Sequence, residues 1–246
     1  MNHSEHDTDT HISEFAMPTV LRSGGRVHAT TSDLTVSFDE IRYSLSTGPL
    51  NGGFHHVLAV RNQKLNYFAE TEKDLPGGSA AGYLTEEFRQ ADLPAHFCTG
   101  ILTSADMEGA VYERFEEDDL IVEVILTCGH EKTAHRAGDG WLYKEKAGHF
   151  SGPGTINMLV FTNKALTDGA MTKAFITMTE AKCAVLSDTG LKSVVSGAPA
   201  SGTATDGIIF TIDTAGEILS DSGTFSFFGN ALAVTVRRAL ARALNQ

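Results

Sequence analysis

A lysine in the second half of the chain occupies a position where helical geometry places apolar side chains. On a helix of about 3.6 residues per turn, Lys182 of TMTEAKCAVL (177–186) falls in the middle of an apolar stripe, and Glu180 points to the opposite face. The other members of that stripe are Met171, Phe175, Met178 and Val185. Two interpretations are open. Either the stem of Lys182 covers apolar surface while its ammonium reaches water, or the ammonium lies at the floor of a pocket and contacts a carboxylate, an oxyanion or a catalytic group.

Turns rich in glycine, threonine and carboxamide side chains stand at the ends of predicted buried strands. They are NGG (51–53), TCGHEKTAH (127–135), GPGTIN (152–157) and SGAPASGTATDG (196–207). Glycine lets the backbone approach a ligand, and threonine and asparagine supply short polar groups. Because such loops converge where ligands bind in open α/β sheets, the four turns together predict a pocket for a large polar ligand. Asp206 closes the last turn and immediately precedes the strand GIIFTID.

Motifs of several common enzyme classes are missing from the sequence. It contains no GxGxxG after a strand, no GxxxxGK followed by Ser or Thr, no HExxH and no GxSxG. This argues against ATP hydrolysis, Rossmann-type hydride transfer and the common zinc peptidases. The spacing of the histidines matches no metal template, so no metal site is predicted. Cys128 and Cys183 are expected to pack as small apolar groups.

The composition indicates a globular protein with an acidic surface. Hydrophobic residues make up 41% of the 246-residue chain, and the formal net charge is −12, from 19 basic and 31 acidic side chains. This balance argues against nucleic acid or an anionic membrane as the main partner. No apolar run approaches the roughly 20 residues that a membrane helix needs.

The cysteines and the N-terminus favour a cytoplasmic location. Three widely spaced cysteines without a CxxC pair fit a reducing compartment. The polar, acidic start MNHSEHDTDTHISEF lacks the basic and apolar regions of a signal peptide. Residues 1–18 are therefore expected to be a mobile polar tail, and residues 19–246 a single domain.

The pattern of apolar residues predicts an α/β fold with a mixed β-sheet core and two long helices in the C-terminal half. Strands are predicted within 26–47, at 56–60, within 97–105, as a hairpin in 110–129, and at 155–162 and 206–213. Helices are predicted at about 80–91, 168–187 and 230–244, the second capped by Thr167 or Asp168 and followed by Gly190. The first half is rich in strands, which allows an αββα-like layered sandwich.

A linked set of motifs resembles the adenosylcobinamide amidohydrolase family. PGTINMLVFTNKALTDGAMTKAFITMTEAKCAVL (153–186) is followed by SGAPASGTATDGIIF and by a glycine before the last helix, in the order and spacing of that family. Fainter similarity covers NGG, LTSADME (102–108), TCG and RAGD (136–139), so the resemblance extends over the chain after the tail. The chain departs from the family pattern at Ser201, at Ala204 and in the HEKTAH loop (130–135), which leaves the exact corrinoid open.

The resemblance implies hydrolysis of the amide that joins the aminopropanol arm to the corrin ring of adenosylcobinamide. The product is adenosylcobyric acid, which re-enters cobalamin synthesis. Such a reaction needs water but no nucleotide, in agreement with the missing P-loop. No cofactor is expected, since cobalt enters only as part of the corrinoid substrate. The sequence does not indicate the oligomeric state.

Amide hydrolysis needs an activated nucleophile, a stabilised oxyanion and an acid for the departing amine. As a hypothesis, Asp206 or Glu180 activates water or the hydroxyl of Thr203 or Thr205. Lys182 stabilises the oxyanion or fixes the base. The residues expected to bind the amide and the corrin carboxamides are Asn51, Gly52, His130, Gly154, Thr155, Asn157, Asn163, Ser196 and Gly202.

Two alternative functions remain open at this level. Glycine-threonine turns also suit an amidohydrolase or acyltransferase that uses a threonine nucleophile on another amide. A non-catalytic tetrapyrrole-binding module is the second alternative, with His130 or His149 as an axial ligand.

Overall fold

The computed structural model describes residues 17–65, 71–130, 133–140 and 155–245. In these residues a large mixed β-sheet packs against three α-helices, which confirms the predicted α/β class. The helices are α1 (Ala80–Gln90), α2 (Asp168–Asp188) and α3 (Phe227–Leu244). Residues 1–16, most of the predicted tail, lie outside the described part. None of the described helices is long and apolar enough to cross a membrane.

The large sheet contains eight strands: β1 (Arg26–Ala29), β2 (Asp33–Ser46), β3 (Gly53–Lys64), β4 (Cys98–Thr103), β5 (Val111–Glu117), β6 (Leu120–Cys128), β8 (Ile156–Thr162) and β11 (Gly207–Ile212). Their order across the sheet is β4-β3-β2-β11-β8-β6-β5, and β1 pairs with β2. Short strands form two further pairs, the antiparallel ribbon of β7 (Ala134–His135) with β10 (Gly202–Thr203) and the parallel pair of β9 (Ala165–Leu166) with β12 (Ile218–Leu219). The predicted strands are all present, and β3 is longer than its apolar core of 56–60 suggested.

Local capping explains the bounds of the two long helices. The hydroxyl of Thr167 accepts a hydrogen bond from the backbone N–H of Ala170, and Gly190 follows the helix with φ of +70°, so α2 begins and ends as predicted. The α3 helix begins at Phe227, three residues before the prediction. Its N-cap is Ser226, whose side chain accepts from the backbone N–H of Gly229.

Strand directions bring the glycine-rich turns to one edge of the sheet. β8 and β11 are parallel, with Asn157 opposite Gly207, and α2 is part of their crossover. β2 and β6 run antiparallel to them, so Ser46 lies opposite Ile209 and Cys128 opposite Ile156. The amino ends of β8 and β11 and the carboxyl ends of β2 and β6 therefore share this edge. It is the opposite end of the parallel pair from the one that binds ligands in open α/β sheets.

The two faces of β8 belong to different hydrophobic cores. Met158 and Val160 pack with residues of α2 and α3. Leu159 and Phe161 pack with side chains of β2, β3 and β4, including Leu34, Val36, Val57, Val60 and Ile101. The sheet therefore folds back on itself, because strands at its far end cover the second face of β8.

Helix α1 covers the outer side of the folded-back strands. Leu84 and Phe88 pack against Ala59 and Cys98, and a Cβ at Gly100 would lie 2.9 Å from a methyl carbon of Leu84. The layers follow the order α1, β3 with β4, β8 with its neighbours, and α2 with α3. This is the αββα order, built from one continuous sheet.

Candidate functional site

Lys182 and Asp206 form a buried ion pair at the turn-rich edge of the sheet. Lys182 lies about four turns into α2, which runs back alongside β8 towards its amino end. Its Nζ donates a hydrogen bond to Oδ2 of Asp206, the residue immediately before β11. Only 11% of the Lys182 side chain and 12% of the Asp206 side chain are exposed. The ammonium thus contacts a buried carboxylate.

Asp206 is surrounded by hydrogen-bond donors. The Thr203 hydroxyl donates to Oδ1 at 2.5 Å, and the Thr203 backbone N–H lies 3.1 Å from Oδ1 and 3.2 Å from Oδ2. The backbone N–H of Ile156 donates to Oδ1 at 3.1 Å. Together with the Lys182 ammonium, these groups complement a negative carboxylate and fix its orientation. Two segments that carry the family resemblance, TEAK (179–182) on α2 and TATD (203–206) in the turn before β11, meet in this cluster.

Glycine is required where the backbone of β10 passes the ion pair. A Cβ at Gly202 would lie 2.2 Å from Oδ2 of Asp206 and 2.8 Å from Nζ of Lys182. Real Cβ atoms do not approach other atoms so closely, so no other residue fits without displacing the pair. Gly207, the first residue of β11, also packs too closely for a side chain, since a Cβ there would lie 2.8 Å from Oδ1 of Asn157.

A buried polar network lies between the two sheet layers beside the ion pair. Asn157 donates from Nδ2 to Oδ1 of Asn62 at 2.8 Å and to the carbonyl of Leu102 at 2.9 Å. Asn62 in turn donates to Oγ1 of Thr127 at 2.8 Å. The Thr155 hydroxyl donates to the Thr205 carbonyl at 2.6 Å and links this network to the turn before β11. Of these residues, Asn62 was missed from the sequence, where its only signal is a polar side chain inside a buried strand.

Cys128 and His130 follow β6 into the same edge. Nδ1 of His130 lies 3.6 Å from Sγ of Cys128, and the backbone N–H of Gly129 donates to the Thr155 carbonyl. Burial raises the pKa of Cys128 to about 12, and the negative charge of Asp206 adds to the effect. The thiol is therefore protonated near neutral pH and a poor nucleophile, as the sequence predicted. Cys183 donates from its Sγ to the Ser201 carbonyl at 3.3 Å.

Two residues of the sequence hypothesis do not lie with the cluster. Glu180 is exposed on the opposite face of α2, which leaves Asp206 as the carboxylate of the site. Asn163 follows the carboxyl end of β8, about 20 Å along the strand from Asn157. Its side chain there donates to the Asp119 carbonyl at 2.7 Å and accepts from the backbone N–H of Ile121 at 2.9 Å. This contact ties the β5–β6 hairpin to β8.

The remaining predicted binding residues mainly shape turns. Asn51, at a positive φ of 48°, donates to the carbonyls of Ala95 and Cys98. A Cβ at Gly52 would lie 2.4 Å from the Gly48 carbonyl oxygen. The exposed Ser196 donates to Asp139 at 2.6 Å, apart from the contacts of Asp206. Gly154 and His149 lie outside the described residues, as do positions 131 and 132 of the HEKTAH loop.

A cleft lies at the other end of β8. It has a volume of about 310 Å³ and is lined in part by Asp119, Lys164 and Glu217. Lys164 is buried and bonded to both carboxylates, so these three charged groups are engaged with one another. Within the described ranges no three His, Cys, Asp or Glu side chains are grouped to hold a metal ion.

Comparison with known proteins agrees with these motifs. The family model described as adenosylcobinamide amidohydrolase (CbiZ) matches residues 19–246 of the chain. A protein of Methanocaldococcus jannaschii that is described only as uncharacterized is 31% identical over 155 residues. That match covers 58% of this chain and 60% of the relative, so the chain spans about three fifths of the relative's length.

Proposed function

Because the chain belongs to the adenosylcobinamide amidohydrolase family, we propose that it hydrolyses the amide between the aminopropanol arm and the corrin ring of adenosylcobinamide. The products are adenosylcobyric acid and the free amine, and the reaction consumes water without a nucleotide or added cofactor. The observation that carries this proposal is the buried Lys182–Asp206 pair with the Thr203 hydroxyl bonded to it. The residues come from the TEAK and TATD segments that characterise the family resemblance.

Thr203 and Asp206 have the relationship of a nucleophile and its base. The Thr203 hydroxyl donates a hydrogen bond to Asp206 Oδ1 at 2.5 Å, which supports attack by Thr203 Oγ1 on the amide carbon. In this step the hydroxyl proton passes to Asp206. Direct attack by a water molecule activated by the same carboxylate is the alternative route.

Lys182 supplies the positive charge that the tetrahedral intermediate needs. When the Thr203 proton reaches Asp206, the carboxylate loses its charge and the Lys182 ammonium can turn to the new oxyanion. Cleavage of the C–N bond then releases the amine, which takes up a proton, and leaves an ester on Thr203. Water hydrolyses this ester, and the proton held by Asp206 returns to the Thr203 oxygen.

The shared edge of the sheet supports binding of a large polar substrate. Corrin carries carboxamide side chains around its rim, which require hydrogen-bond donors and acceptors on several sides. Among the described residues, the turn after β2, Gly129 and His130 after β6, and the turn before β11 carry polar groups at this edge. The proposed catalytic cluster lies at the base of the turn before β11.

The Thr203–Asp206 hydrogen bond also supports a second candidate function. The hydrogen bond from Thr203 to Asp206 also fits a threonine-dependent amidohydrolase or acyltransferase that acts on a different amide. Such an enzyme would cleave small acylated amines and leave adenosylcobinamide intact.

The test is conversion of purified adenosylcobinamide, followed by mass spectrometry. The expected products are adenosylcobyric acid and aminopropanol in equal amounts, and in ¹⁸O-labelled water the new carboxylate carries one ¹⁸O atom. Cleavage of other amides without this conversion would favour the second candidate. A change in the corrinoid absorbance spectrum with no product would indicate a binding module, and would contradict the proposed hydrolysis.

A further inference from the structure

His135 lies across the β7–β10 ribbon from the ion pair. It pairs directly with Gly202 in this antiparallel ribbon. Directly paired residues carry their side chains on the same face, with Cβ atoms about 5 Å apart. At Gly202 that face is occupied by Asp206 Oδ2 and Lys182 Nζ, at 2.2 and 2.8 Å from a built Cβ. The side chain of His135 therefore starts on the face that holds Lys182 and Asp206.

A buried ring nitrogen of His135 has no hydrogen-bond partner among the described residues. Its Nε2 atom is buried and makes no hydrogen bond to any residue that the structure describes. Buried polar atoms are almost always paired, so an unpaired one beside a candidate site points to a partner that arrives with the ligand. The backbone of His135 is engaged structurally, since its carbonyl accepts from the N–H of Ser201 at 3.0 Å. The ring nitrogen is not needed for that contact.

One role in the proposed reaction is not filled by the ion pair. The departing amine needs a proton, and both oxygens of Asp206 already accept bonds from Lys182, Thr203 or Ile156. Nδ1 of His130, which follows β6 at this edge, contacts Cys128. Histidine is the side chain most often used for proton transfer in enzymes.

Building on the proposed function, we propose that His135 is the catalytic acid that protonates the departing amine. As the C–N bond of the tetrahedral intermediate breaks, the Nε2 proton of the imidazolium passes to the amine nitrogen. The neutral imidazole then recovers a proton from the solvent, to which the new carboxylic acid releases one, and so returns to its starting form. The amine leaves neutral, and the water oxygen remains in adenosylcobyric acid.

The test compares two leaving groups on the same corrin carboxyl group. Adenosylcobinamide releases an amine that must be protonated, whereas the 4-nitrophenyl ester of adenosylcobyric acid releases a phenolate that needs no acid. In His135→Gln, kcat for the amide is expected to fall by about 10²- to 10³-fold, while the ester is cleaved within about threefold of the wild-type rate. The matched control is His28→Gln, an exposed histidine on β1, with both rates unchanged.

Each outcome decides the assignment. A second variant, His135→Asn, is measured in parallel, and retained ester cleavage in either variant shows that the fold and the ion pair are intact. Unimpaired amide hydrolysis in a variant overturns the role of His135. An equal loss of both reactions, with an unchanged melting temperature, also overturns it, because an acid acts only on the amide. If the wild-type protein releases no adenosylcobyric acid, the proposed function itself fails, and the assignment fails with it.

Discussion

Lys182 and Asp206 are 24 residues apart in sequence and form an ion pair whose two side chains are each almost nine-tenths buried. Removing two charges from water costs free energy that their attraction offsets only when further hydrogen bonds surround them. Thr203 and the backbone of Ile156 supply such bonds to Asp206. Replacing a buried ion pair by apolar residues is often neutral or stabilising, so the pair fits the chemical role proposed above.

Replacing Lys182 by methionine should abolish most of the activity while keeping most of the packing around the side chain. Methionine keeps much of the apolar stem but leaves the oxyanion without a cation, so kcat for adenosylcobinamide should fall by about 10²- to 10³-fold. The control is Lys173→Met on the same helix, because Lys173 forms an exposed ion pair with Asp221. Unimpaired hydrolysis by a folded Lys182→Met variant would remove this lysine from the mechanism.

Gly202 and Gly169 should respond in opposite ways to alanine. Gly202→Ala places a Cβ against the ion pair, so activity should fall at least about tenfold and the unfolding free energy by about 1–3 kcal/mol. Gly169 lies in the first turn of α2 with open space around its Cβ, and alanine there should stabilise by about 0.5–1 kcal/mol. Urea unfolding and steady-state rates check both. Equal behaviour of the two variants would contradict the close packing at Gly202.

The two routes of attack predict different results at Thr203. If Thr203 Oγ1 is the nucleophile, Thr203→Val should lose at least about 10³-fold in kcat, while Thr203→Ser retains measurable turnover. Rapid acid quench followed by intact-mass spectrometry should detect the corrinoid ester on the wild-type protein and on Thr203→Ser. Near-normal hydrolysis by Thr203→Val would instead favour direct attack by water.

The buried amide pair of Asn62 and Asn157 should behave as one unit in stability. Asn157→Ala leaves Asn62 Oδ1 and the Leu102 carbonyl without their donor, which should cost about 2–3 kcal/mol of unfolding free energy. Asn62→Ala should cost a similar amount, and the double variant clearly less than the sum. A double-mutant cycle by urea unfolding measures this coupling. Strict additivity would show that the network does not act as a unit.

The buried thiol of Cys128 should make the fold less stable at alkaline pH. Burial is the main cause that raises the pKa of Cys128 in the folded state from its ordinary value of 9.0 to about 12, so only the unfolded thiol ionises between these values. The stabilising contribution is complete below pH 9 and should decline by about 1–2 kcal/mol as pH rises from 9 to 10.5. Urea unfolding of wild-type and Cys128→Ala proteins across this range checks the sign, because the variant should show a shallower decline. A steeper decline in the variant would contradict it.

Local patterns in the sequence predicted most of the elements that position the site. Thr167 and Gly190 bounded α2, and helical periodicity placed Lys182 on its buried face and Glu180 on its exposed face. Apolar runs gave β6, β8 and β11, and the glycine-rich turns were expected to converge. These predictions succeeded because capping, side-chain periodicity and turn preferences act over a few neighbouring residues.

Only the tertiary structure decided which polar residues meet. Asn157 and Asn163 look alike in the sequence, yet they lie at opposite ends of a seven-residue strand. The sequence left Asp206 and Glu180 as candidates for the base, and the path of α2 and β10 brought only Asp206 to Lys182. Asn62 reaches Asn157 because the sheet folds back on itself, and His135 lies opposite Gly202 because β7 pairs with β10. Contacts between residues so far apart in the chain depend on the register and curvature of the whole sheet, which no local pattern specifies.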